Sequence, residues 1–143
     1  MKKSALTLLL AVSMLFLARG PAWVCADEVT GVIVTPLTST TTTASGQPIE
    51  VPAHPEVVVS LFELAPGVAL AVHKHPYPRY GYVLSGTLEV TVIGGKTCRY
   101  QTGDFMAEVI DQWHMGKNVG VTPVRLLVID QVAPGHSNTI IRP

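Results

Sequence analysis

The chain has 143 residues, 48% of them hydrophobic and 14% charged, where a soluble domain averages roughly 25% charge. That length suits one domain and leaves little room for a second core. Ten Lys and Arg balance ten Asp and Glu, so composition excludes the basic footprint of a nucleic-acid binder or of a protein steered to an anionic membrane.

In chain order, Met1-Lys2-Lys3 is a short basic start, Ala5 to Ala18 is predominantly apolar, and Val24 and Ala26 place compact residues at the −3 and −1 positions of a cleavage site. These features predict a secretory signal peptide over residues 1–26, too short in its apolar stretch for the ~20 residues of a membrane span. Cleavage after Ala26 leaves 117 residues, with seven basic against ten acidic side chains. Cys25 departs with the signal, so Cys98 has no partner in the mature chain and a disulfide framework is excluded. An unbridged domain of this size relies on an ordinary core, with a metal as a further staple.

After residue 27 no segment sustains a helical period. Short β-branched and aromatic runs recur between turn signals about every ten residues, the pattern of an antiparallel sandwich or barrel. The expected strands are Val29–Val34, Val57–Leu64, Val68–His75, Tyr82–Leu84, Thr87–Ile93, Thr97–Gln101, Phe105–Ile110, His114–Asn118 and Val124–Val132. Thr38–Ala44 reads as an edge strand or a loop, Gly94-Gly95 as a hairpin turn, and Pro134–Pro143 as a covering tail. Strand alternation puts Asp104, Met106 and Glu108 on one face without saying which.

The histidines carry the chemistry. His73 and His75 are one residue apart on a predicted strand, so both imidazoles point to one face, where they can share a divalent ion. Alone, that pair is a weak signal. Its setting is stronger: Gly67, five residues, His73-Lys74-His75, three residues, Arg79, six residues and Gly86, followed later by Gly103, ten residues, His114, three residues and Asn118. This arrangement resembles the two motifs of the cupin superfamily, in its small single-domain members, over roughly Val57 to Val132.

The resemblance implies an all-β fold, a single cupin barrel (double-stranded β-helix or jelly roll) over residues 57–133. It follows an N-terminal strand and Thr-rich segment over 27–56 and precedes a tail over 134–143. It also implies one divalent metal on His73, His75 and His114, with Fe preferred and Mn, Zn, Ni or Cu as alternatives. The motif departs at Arg79, where the family supplies a glutamate ligand, and at Val109 and Asp111, where it places proline and glycine. Arg79 is a permanent cation and coordinates no metal. Three readings stay open. Arg79 clamps a substrate carboxylate beside a three-histidine site; or it faces outward while Glu108 supplies the fourth ligand; or its charge abolishes metal binding.

Tyr77, Tyr80 and Tyr82 lie near the paired histidines, and Tyr80 and Glu108 are the acid–base candidates. Trp113, Met106, Met115, Cys98 and Asn118 read as packing or structural residues, and His54 and His136 as surface residues in loops. The function so implied is an exported, metal-binding cupin that acts on or binds a small carboxylate-bearing molecule, by dioxygenase, decarboxylase or isomerase chemistry. The alternative is a non-catalytic periplasmic binding module. A small-molecule ligand is the expected partner, with neither nucleic acid nor membrane after cleavage, and a homodimer stays open.

Overall fold

The computed structural model describes residues 31–143. The expected signal peptide over 1–26, Cys25 included, and Val29 and Thr30 of the first predicted strand lie outside the described residues. The remainder of that strand, Gly31 to Val34, is exposed and pairs with nothing in the described ladders, so it is not a strand. An apolar β-branched run gives propensity, but a strand needs a partner.

Among the described residues nine strands follow: β1 (Glu56–Leu64), β2 (His73–Lys74), β3 (Arg79–Ser85), β4 (Thr87–Val92), β5 (Thr97–Gln101), β6 (Phe105–Ala107), β7 (His114–Asn118), β8 (Val124–Val132) and β9 (Ile140–Ile141). They form two antiparallel sheets, in the orders β1-β8-β3-β6 and β5-β4-β7-β2-β9. The fold is all-β, as the spacing of turn signals predicts, and the described residues contain no helix.

Alternation along β8 turns Val124, Leu126, Val128, Asp130 and Val132 inward. The first three meet Leu64 of β1, Val83 of β3, Leu88 of β4 and Met106 of β6 in the buried core. The turn after β3 brings backbone very close to backbone. At Gly86, with φ +86, a Cβ would lie 2.8 Å from the Pro123 carbonyl oxygen and 2.9 Å from the Val124 Cα. Only glycine satisfies both the left-handed dihedral and that contact.

Two predicted strands are much shorter than expected, for identifiable reasons. Val68–His75 is strand only at His73–Lys74, and Ala69 makes one isolated bridge to Lys117; Pro76 and Pro78 then remove two ladder donors. Phe105–Ile110 stops at Ala107. Beyond it the Gln47 side chain takes the place of a strand, donating from Nε2 to the Ile110 carbonyl at 2.7 Å and accepting from the Ile110 amide at 2.9 Å. The Thr-rich segment is neither edge strand nor free loop: it closes a turn through a Thr42–Pro48 bridge and docks by the Ala44 amide on the Ala107 carbonyl, 2.8 Å. The tail does more than cover, because Ile140 and Ile141 pair with Lys74 and His73.

Candidate metal centre

Register sets the site. His73 of β2 lies directly opposite His114 of β7, and on the facing sheet Arg79 of β3 lies directly opposite Asp130 of β8. His75, just past β2, and Glu108, just past β6, lie within 3.4 Å of each other and close the gap between the two pairs. The result is a group of four, His73, His75, Glu108 and His114, whose ligand atoms all lie within 4.8 Å of one another. All three histidines are buried.

Each imidazole is oriented by a backbone carbonyl. His73 Nδ1 donates to Ala71 O at 2.7 Å, His114 Nδ1 to Gln112 O at 2.8 Å, and His75 Nδ1 to Asn138 O. A carbonyl oxygen only accepts, so Nδ1 carries the proton in all three rings and Nε2 is left for the site. Glu108 Oε2 lies 3.1 Å from His114 Nε2 and 3.4 Å from His75 Nε2. Three imidazole nitrogens and one carboxylate oxygen, tautomers already set, are a donor set suited to a divalent transition metal. The residues present therefore fit the ion that the motif implies.

The electrostatics are those of a shared proton. Burial alone would raise the Glu108 carboxyl, but hydrogen bonds from His114 and His75 and the charges of His75 and Arg79 outweigh it and hold the group far below the carboxylate range. Burial likewise opposes protonation of His114, and the Glu108 and Gln112 contacts overcome it, so its value is raised. His73, which burial dominates, is lowered. These directions favour a proton shared between Glu108 and His114 and disfavour one on His73.

Arg79 faces inward, so the outward reading is overturned. Its charge is nonetheless answered: Nε and Nη2 form a two-pronged pair with Asp130 at 2.7 and 2.9 Å, and Nη2 also reaches Thr139 Oγ1 at 3.2 Å. The remaining nitrogen, Nη1, lies 3.3 Å from His75 Nε2, at the edge of the group. Asn138 ties this corner together, donating from Nδ2 to Asp130 Oδ1 at 2.6 Å and accepting at Oδ1 from the Tyr77 amide at 2.9 Å.

The structure does not bring Tyr80 to the group. Arg79, Gly81 and Val83 are the buried face of β3, so Tyr80 takes the other face, where its hydroxyl donates to Gln131 Oε1 at 2.9 Å and its ring lies over Phe105. Strand alternation forbids neighbours Arg79 and Tyr80 from sharing one site. Asn118 is a structural pin at the far end of β7, its Nδ2 donating to the Leu64 and Thr122 carbonyls at 2.9 Å each. Met106 is core, Cys98 is a half-buried free thiol, and His54 and His136 are exposed. Asp130 and Asn138 were not expected. Asp130 had a signal, since it occupies an inward position in the alternation of β8; Asn138, in an irregular tail, had none.

Two facing antiparallel sheets with a histidine-lined interior define a double-stranded β-helix with a candidate metal centre. The chain belongs to the cupin superfamily: the family model for the cupin domain matches residues 60–130. Among solved structures, it is similar to an uncharacterized conserved protein with a double-stranded beta-helix domain from Klebsiella pneumoniae (25% identity, TM-score 0.51, 64% of this chain and 89% of that one). It is also similar to the oxalate decarboxylase of Lactobacillus farciminis in its formate complex (23%, 0.52, covering 59% and 26%). A third is the polyketide cyclase RemF from Streptomyces resistomycificus (20%, 0.51, covering 64% of each). The last two likenesses show the fold alone, and the chain spans about a quarter of the decarboxylase's length. A search of curated proteins finds no match.

Proposed function

We propose that this cupin holds one divalent metal on His73, His75, His114 and Glu108 and binds a small carboxylate-bearing molecule there, with Fe(II) the preferred ion and Mn, Zn, Ni or Cu the alternatives. The observation that carries the reading is the set of three Nδ1–H donations to backbone carbonyls, which aims three Nε2 atoms at one carboxylate. When bound, such an ion supplies Lewis-acid polarisation of a coordinated oxygen. Arg79, held by Asp130 along one edge of its guanidinium and 3.3 Å from His75 Nε2 at Nη1, has a second N–H on Nη1 to donate to a ligand carboxylate oxygen.

Elemental analysis of the purified chain tests the centre. The wild type should carry about one metal per chain, and His73→Ala and His114→Ala should lose it; equal trace metal in all three rejects the site. The paired change Arg79→Met with Asp130→Leu removes the cation without stranding its partner. It should keep the metal and lose affinity for pyruvate, and unchanged affinity rejects the role given to Arg79.

A binding module without turnover is the second reading. It is supported by one placement: of the two acid–base candidates, Tyr80 faces away and Glu108 belongs to the ligand group. Conversion of a bound carboxylate by the metal-loaded protein would reject it. The proposal also includes export, on the strength of residues 1–26. Recovered protein should begin at Asp27, and a chain that retains Met1 rejects export.

A further inference from the structure

The interior around the candidate metal centre is divided in two. A chamber of about 30 Å³ lies against His73, Arg79, Glu108 and His114, which is room for an ion or about one water molecule. A cleft of about 450 Å³ opens between β4 and β5 on one sheet and residues 106–109 on the other. Val90 and Glu108 line both spaces and so form the partition between them. A molecule of more than a few atoms can bring only a terminal oxygen into the chamber. Its body has to lie in the cleft.

The chemistry of the cleft narrows what that body is. Its walls are Val90, Val92, Tyr100, Met106 and Val109. Of the polar side chains at its rim, Ser45 Oγ donates to Gln47 Oε1 at 2.8 Å and accepts from Gln112 Nε2 at 3.2 Å, while the exposed Lys96 ammonium stands at the mouth. Burial, then Cys98, pushes the Tyr100 phenol up to about 12, so it presents a neutral ring. A hydroxyl-rich body such as a sugar would give up its hydration here for few partners. A flat apolar body would be matched along its length.

We propose, building on the metal and carboxylate reading above, that the ligand is an aromatic-bodied 2-oxo or 2-hydroxy carboxylate. A terminal oxygen of its head passes Glu108 into the chamber toward Arg79 Nη1, the rest of the head stays at Glu108, and its ring lies in the cleft among Val92, Tyr100 and Met106. Adjacent oxygens on the head serve the ion and the guanidinium together. Glu108 and Val90 separate the head from the ring.

Calorimetric titration of the Zn(II)-loaded full chain with phenylpyruvate and with pyruvate tests this, because the two probes differ only in the ring. Phenylpyruvate should bind about 10- to 100-fold tighter, the range that burying an aromatic ring gives. Val92→Trp, which fills the cleft, should bring phenylpyruvate to the level of pyruvate while metal content and pyruvate affinity hold. Ser45→Trp, on a surface turn, should do the same if Val92→Trp does not fold. Equal affinity of the wild type for both probes overturns the cleft assignment and leaves the carboxylate reading standing. Selectivity that survives in a folded, metal-loaded cleft variant overturns it equally. A chain that holds Zn(II) but binds neither probe rejects the carboxylate reading and this proposal together, and one that holds no metal rejects the centre itself.

Discussion

The two ends of the barrel interior are built from the same strands and obey opposite rules. β8 gives Val124, Leu126 and Val128 to the apolar end and Asp130 to the polar end, a change made in one step of the alternation. At the apolar end Leu64, Val83, Leu88 and Met106 complete a core held by burial, which no single contact decides. At the polar end every group has a named partner, and among the described residues no buried side-chain nitrogen or oxygen lacks one. Damage to the first end is therefore graded, whereas loss of one partner at the second strands a charge.

The largest effect should come from Asp130→Ala. Among the described residues it leaves the buried Arg79 guanidinium with Thr139 and His75 as hydrogen-bond partners and the Phe62 ring beneath it, and removing one member of a buried pair costs about 3–5 kcal/mol. Denaturant unfolding measures this, and a loss below about 1 kcal/mol would mean that the pair is solvated. Arg79→Met added to Asp130→Leu should recover most of the loss, since both charges then leave together. The apolar end should respond more gently. Leu64→Ala removes a buried side chain from the rim of the core and should cost about 2–4 kcal/mol with metal content unchanged. Loss of metal in that variant would show that the two ends are not independent.

Much of this contrast is legible in the sequence, and the illegible part has a physical cause. His73, His75 and His114 are readable because strand alternation fixes their common face and the motif spacing brings them into one group. Glu108 was readable only to its face: sharing parity with Met106 places it inward once Met106 is known to be core. Arg79 could not be oriented, because Pro76 and Pro78 interrupt the alternation that would carry parity from His75 to β3. Asp130 was hidden by its company, a single acid in an apolar strand whose inward parity is its signal. Asn138 and β9 depend on a tail whose pairing with β2 has no local pattern.

The smallest expected effect is the most specific to the polar end, and its sign follows from which proton sits where. The Glu108 carboxyl is lowered from 4.5, so its contribution to stability is present above about 4.5 and is lost as pH falls through the folded value. His114 is raised from 6.5, so its contribution is present below about 6.5 and is lost as pH rises through the folded value. His73, lowered from 6.5, works the other way, costing stability as pH falls below 6.5. Glu108 is the last and smallest of the causes acting on His73, so this penalty differs little between wild type and Glu108→Gln and largely cancels from their difference. In chelator-treated protein that difference should therefore peak between pH 4.5 and 6.5, at about 1.5 kcal/mol, the lower end for a hydrogen bond to a charged group. It should shrink on the acid side as Glu108 takes up a proton and on the alkaline side as His114 gives one up. A difference that stays flat from pH 4 to 8, read by unfolding curves at each pH, would mean that Glu108 and His114 do not share a proton. A divalent ion on the same atoms would replace that proton, so in metal-loaded protein the acid-side loss should reappear as release of the ion.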